Sequence, residues 1–284
     1  MELEKVGIGT IAALGLGTVL MVCVPIGIAV WWLIRKKERV TTVLVGAAVF
    51  LLFAIILEKP IQNALAFPTQ IGLTEHAVSR FLNARPVLLA LVAGLFPGVF
   101  EETGRLVAFK TVLRNRKNRE TSVSFGIGHG CFEVIFLVGV AYIGYLAYAV
   151  MMKTGAFQTV IDEAVQKMPE QAETIYAQAS QIASFSFADL GTAVFERIFA
   201  VLFHIGASIL VFYACRDRKR AWMYPLAVIL HTAMDFIAAL YLFDVVDMSM
   251  WGLEGITAAF GVLTFFGAYL LLYKKDRLYS DEGR

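Results

Sequence analysis

Seven uninterrupted apolar runs, each long enough to cross the hydrocarbon of a bilayer as a helix, constrain this chain more than any other feature. They lie at about 7–34, 41–57, 87–109, 123–151, 193–214, 221–243 and 253–273. Backbone polar groups inside a bilayer must be satisfied within the segment, and for runs of this length a helix is the solution. The expected fold is therefore all-α, a polytopic membrane protein of about seven transmembrane helices. A hydrophobic content of 58 % and a mean hydropathy of +0.70 agree with that class.

Charge placement orients the runs. Basic clusters follow the first run ("RKKER"), the third (110–119), the fifth ("RDRKR") and the seventh ("KKDR"). The opposite connections carry Glu58, Glu75, Asp162, Glu163, Glu170, Glu173, Asp244 and Asp247 with few cations. The positive-inside rule then puts the N-terminus outside and the C-terminus in the cytoplasm. A formal net charge of +2 gives no reason to expect a nucleic-acid partner. The acidic start "MELEK" precedes a run too long for a cleavable signal peptide and reads as a retained first span.

Cys23, Cys131 and Cys215 lie inside or at the end of apolar runs, with neither a disulfide framework nor zinc-finger spacing. Cys131 reads as a packed small hydrophobe, since its apolar setting offers nothing to make a thiolate. Two outer connections are long, 58–86 and 152–192. In the second, Pro169 suits a helix first turn and Ile175, Ala179, Ile182 and Phe185 recur at helical spacing, as in an interfacial helix, a lid or an ordinary structured loop. His76, in the first, is assigned no role. With no repeat of 20–50 residues and no linker, the chain reads as a single integral membrane domain over 1–284, with a motif-bearing core at about 87–243.

Four of the runs carry ionisable residues: Glu101, Glu102 and Arg105; His129 and Glu133; Glu196, Arg197 and His204; His231 and Asp235. At ~1.5 Å rise per residue, Glu102 and His129 lie ~12–13 Å from the nearest basic cluster and His204 and His231 ~16 Å, so four helices bring a carboxylate and three imidazoles to one depth. Residues four apart share a helix face, which pairs Glu101 with Arg105, His129 with Glu133 and His231 with Asp235. Arg197 and Glu196 sit near the outer end of their run and suit a structural pair as well as a functional one. Buried ionisable groups in membrane spans are costly and are functional by default. A desolvated carboxylate suits general-base activation of water, and neutral imidazoles can stabilise an oxyanion or, three together with Glu or Asp, ligate zinc. Spacing leaves these options open, and there is no HExxH.

The segments "FEETGR", "FGIGHGCFE", "ERIFAVLFHIGAS" and "LHTAMDF", in this order on successive helices, resemble the YhfC-type membrane peptidases, within the broader group of CAAX prenyl endopeptidases and PrsW-type proteases. Glu101, Glu102 and Arg105 match a first motif of paired Glu followed by a cation. Their spacing is similar to the PrsW form, whereas the CAAX form has one more intervening residue. Phe125 and His129 match the second motif, Glu133 the Phe-Glu of PrsW-type helices, His204 the span-five pattern, and His231 with Asp235 the last. The resemblance covers about 95–240 and is specific as a set.

It implies an intramembrane endopeptidase of the bacterial cytoplasmic membrane, glutamic-type or metal-assisted, acting on a membrane protein or membrane-associated peptide. Its catalytic set is Glu101, Glu102, Arg105, His129, His231 and Asp235, with Glu101 favoured as base and Glu102 assisting. Zinc or another divalent metal, if used, would be held by His129, His204, His231 and Glu133, and a metal-free mechanism is the other form. Readings from other classes are an ion- or proton-coupled transporter using the Glu/His cluster as a relay, and a membrane scaffold without activity.

Overall fold

A computed structural model of the chain describes residues 6–276. The "MELEK" start and Arg277 of the last basic cluster lie outside the described residues. Among these residues there is no strand, and seven helices are long and apolar enough to cross a membrane: α1 (Ile8–Lys36), α2 (Val40–Ala66), α3 (Pro86–Lys110), α4 (Glu120–Thr154), α5 (Phe187–Arg216), α6 (Arg218–Leu242) and α7 (Met250–Tyr273). The chain is an integral membrane protein.

One boundary differs from the sequence reading. Helix α2 does not stop near residue 57 but runs to Ala66, so Glu58 belongs to a span and is 1 % exposed instead of lying in an outer loop. The pair Lys59-Pro60 looks like a helix end. It is accommodated because Phe50–Glu58 is wound as a π-helix, and Pro60 falls in the first turn of the α-helical segment that follows, where its missing N–H matters least. Helix α4 likewise passes through a π-helical stretch at Val134–Gly139.

The described chain forms two compact units. The first comprises residues up to Gly27 together with Glu133–Arg197. Within it Phe157–Lys167 and Ala172–Ser184 are helices, the second entered through a 3-10 turn at Pro169–Gln171 as the proline predicts. Ile161 and Ala179 bury together with Phe157. Glu133 accepts from Arg197 at 3.2 Å, and Arg197 also pairs with Glu196.

The second unit, Ile28–Phe132 and Ile198 onward, contains the aromatic core. Phe109 of α3 packs on Phe125 of α4 at 4.8 Å and on Phe212 of α5 at 5.5 Å between ring centroids. Helix α5 is the most enclosed span, with 72 % of its apolar window buried against 44 % or less elsewhere, so its side chains can meet several helices at once. Two glycines beside His129 allow this crowding. A Cβ on Gly128 would lie 2.0 Å from the carbonyl oxygen of Val43 in α2, and one on Gly126 would lie 2.6 Å from Cα of Ile205 in α5.

Helices α2 and α3 run antiparallel in a register fixed by a proline. Pro97 has no N–H to give to the carbonyl of Ala93 four residues earlier. Gln62 of α2 supplies it instead, donating from Nε2 to Ala93 O at 3.2 Å. Further along, Gly104 of α3 lies against Phe53 and Val49 of α2. Outside the spans, His76 caps the short helix Ala77–Asn83, its Nδ1 accepting from Ser79 N at 3.2 Å.

Two outcomes follow. In a chain with the three native cysteines replaced by alanine, Lys117→Cys and Lys219→Cys should react with an impermeant maleimide from one side of a vesicle, and Glu75→Cys and Gly155→Cys only from the other. Gly128→Ala should destabilise by about 1–3 kcal/mol or more, because the α2 backbone has to retreat, and this reads out as a lower melting temperature.

Candidate active site

Adjacent carboxylates on α3 diverge by about 100° around the helix, so Glu101 and Glu102 meet different neighbours. Glu102 is fully buried, and its Oε1 accepts from Arg105 Nη1 and from Nδ1 of His231 on α6, the latter at 2.8 Å. Arg105, also without exposure, turns its other terminal nitrogen to His204 of α5, with Nη2 2.6 Å from Nδ1. The same Nη2 lies 3.7 Å from Glu101 Oε2. Spacing of four favours Glu101 as the partner of Arg105, whereas the tight contact is with Glu102 at spacing three. The reason is that Glu101 Oε2 is already held by His129 Nε2 of α4 at 2.8 Å.

The imidazoles form a row. His129 and His204 have ring centroids 4.9 Å apart, and His204 and His231 5.5 Å. Phe50 meets His129 edge-on at 5.3 Å and Phe203 meets His231 at 5.1 Å, walling the row with hydrocarbon. An apolar wall strengthens every charge interaction inside it and makes an unpaired charge expensive. A bond from Arg105 to His204 Nδ1 leaves neutral His204 with its proton on Nε2. His231 spans two carboxylates, with Nε2 3.4 Å from Asp235 Oδ2, whose side chain is about one-third exposed.

The structure thus brings Glu101, Glu102, Arg105, His129, His204 and His231 into one buried cluster of the second unit, with Asp235 at its edge. Glu133, four residues after His129 on α4, is bonded to Arg197. Cys131 is buried and free of any disulfide.

Glu101, His129 and His204 each offer a donor atom, and these lie within 4.8 Å of one another. Two imidazole nitrogens and a carboxylate oxygen in a buried pocket are a donor set that suits zinc. The residues therefore fit a divalent ion, with Glu101 grouped beside His129 and His204, and His231 engaged instead between Glu102 and Asp235.

Comparison with known proteins shows which family the sequence matches. A family model described as "YhfC intramembrane metalloprotease" matches residues 20–257, which include all four motif segments. The "Uncharacterized membrane protein YhfC" of Bacillus subtilis (strain 168) is 26 % identical over 221 residues, covering 76 % of this chain and 79 % of that protein. No solved structure matches.

Removing Arg105 strands a buried carboxylate, so Arg105→Ala should cost about 3–5 kcal/mol in the detergent-solubilised protein. Because the cost comes from the stranded anion, Glu102→Gln should recover a large part of it in the double variant. Additive losses in the thermal melts would contradict the pairing.

Proposed function

The chain belongs to the YhfC intramembrane metalloprotease family, and from that premise we propose an intramembrane endopeptidase in which Glu101 activates water against peptide bonds of membrane-embedded or membrane-associated substrates. The observation that carries the choice of base is the unequal setting of the two carboxylates. Glu102 is fully buried and its Oε1 is committed to Arg105 and His231, whereas Glu101 keeps 5 % exposure beside two imidazoles. Of the two, Glu101 is the one a water molecule can reach.

In this reading the peptide enters from the cytoplasmic half of the membrane, with the basic connections inside and the N-terminus outside. Its helix unwinds locally, since a helical carbonyl is bonded and shielded. Glu101 takes a proton from the attacking water and returns it to the leaving amine as the C–N bond breaks. Imidazole N–H groups of the row stabilise the oxyanion of the tetrahedral intermediate. Glu102 and Asp235, on either side of His231, fix the plane of that ring, and Arg105 holds Glu102 and His204 in place. A divalent ion such as zinc would be held by His129, His204 and Glu101 and would supply Lewis acidity to the scissile carbonyl.

Purified protein in proteoliposomes, offered a panel of dye-quenched transmembrane peptides with Gly- and Ala-rich centres, should cleave members of the panel. Glu101→Gln should slow this at least 100-fold with an unchanged melting temperature, since the amide keeps volume and cannot take a proton. Metal analysis should find about one divalent ion per chain, lost in His129→Ala and in His204→Ala. Proton or ion flux without cleavage, or undiminished cleavage by Glu101→Gln, would contradict the proposal.

A further inference from the structure

Outside the cluster, Glu58 is a buried group that the mechanism above does not use. Glu58 of α2 is 1 % exposed and neither of its oxygens accepts a hydrogen bond. The nearest cation is its neighbour Lys59, whose ammonium lies 3.3 Å from Oε1 and whose side chain is half exposed. A carboxylate is a strong acceptor with room for about four donors, and leaving it unbonded in an apolar interior is costly.

Its position follows from the α2–α3 register. Gln62 bonds Ala93, and Phe53 lies against Gly104. In an antiparallel pair these contacts put Glu58 level with Pro97, roughly one turn or ~6 Å along the axis from Glu101. Glu58 faces α3 because it precedes Gln62 by about a turn on the same side. The carboxylate lies within electrostatic reach of both Glu101 and His231.

We propose that Glu58 is a substrate-anchoring residue of this site, accepting backbone N–H groups of the unwound peptide about two residues from the bond that Glu101 attacks. The inference rests on the protease reading above. The spacing follows from ~3.3 Å per residue of extended chain against the ~6 Å axial offset between the levels of the two residues. The class of donor follows from charge. Lys59 already offsets the anion, so a neutral donor fits better than a second cation, and an unwound segment in a dry site carries N–H groups that have lost their helical partners. Such a bond to a carboxylate is charge-assisted and so contributes more than a neutral one.

The test uses a transmembrane peptide of the panel that the wild-type protein cleaves, with the cut bond located by mass spectrometry. Ester replacements then delete one N–H at a time over three residues on each side of that bond. On the wild type, one ester about two residues from the cut should raise KM about 10- to 100-fold with kcat little changed. Glu58→Met should raise KM similarly for the all-amide peptide and show no further loss with that ester, while Glu58→Gln, which keeps an acceptor oxygen, recovers most of the affinity. Ester substitutions without effect on wild-type KM overturn the inference whether or not Glu58→Met folds. So does a folded Glu58→Met whose KM is within about two-fold of wild type. Failure of the wild type to cleave any peptide sinks the protease reading itself and this inference with it. Loss of cleavage in Glu101→Gln alongside a normal ester scan sinks only the anchor.

Discussion

A guanidinium with no exposure to solvent, Arg105, governs the arrangement around it. A charge in such surroundings is tolerable only if anions and acceptors converge on it, and the chain provides them from its own helix and from α5: Glu102 and Glu101 on α3, and His204 Nδ1. Each partner is then partly spoken for, and its remaining atoms set the next layer. Glu102 draws in His231 from α6, and Glu101 draws in His129 from α4. The rotation of four helices about their axes is thereby fixed by one cation. Gly126 and Gly128 add to it by letting α5 and α2 approach α4 closely beside His129.

The same layering divides labour between carboxylates that are identical in sequence terms. Glu102 is held by two donors on one oxygen and serves as the structural counter-ion. Glu101, slightly exposed between imidazoles, is the group to which the proposed mechanism gives the proton transfer. Glu58 has the half-exposed Lys59 ammonium 3.3 Å away but no hydrogen bond on either oxygen, and those oxygens are what suggest a substrate contact. The environments differ because the partners differ, and none of that difference is contained in the residue type.

Much of this was readable from the sequence. The seven spans follow from apolar length alone, and their ends differ from the structure mostly by a few residues, because a buried turn of helix and a lipid-facing turn look alike in composition. The exception is α2, where Glu58, Lys59 and Pro60 mimic a helix end and a π-helical stretch carries the chain through. A π-turn leaves no mark on hydrophobic periodicity, so Glu58 could not be distinguished from a loop acid. In the cluster, helical rise gave the common depth of Glu102, His129, His204 and His231. Rotation was harder. Spacing of four pointed Arg105 at Glu101, yet competition from His129 hands the guanidinium to Glu102. Common depth likewise grouped His231 with the other imidazoles, whereas flanking carboxylates set it apart from the donor group of Glu101, His129 and His204. Such outcomes depend on which partner reaches a shared atom first, and that is a property of packed helices. Membership of the YhfC intramembrane metalloprotease family is consistent with this site, since the matched region contains every residue of the cluster.

The central claim is that a substrate peptide bond is brought to Glu101. It can be tested by photocrosslinking, with Glu101→Gln protein in proteoliposomes holding an uncleaved transmembrane peptide that carries a diazirine at the residue flanking the scissile bond. After irradiation and digestion, mass spectrometry should find adducts on α3 within about a turn of position 101 and on the facing turns of α4 and α6 around His129 and His231. Adducts confined to lipid-facing positions of α1 or to Phe157–Lys167 and Ala172–Ser184, with none on α3, would contradict the account.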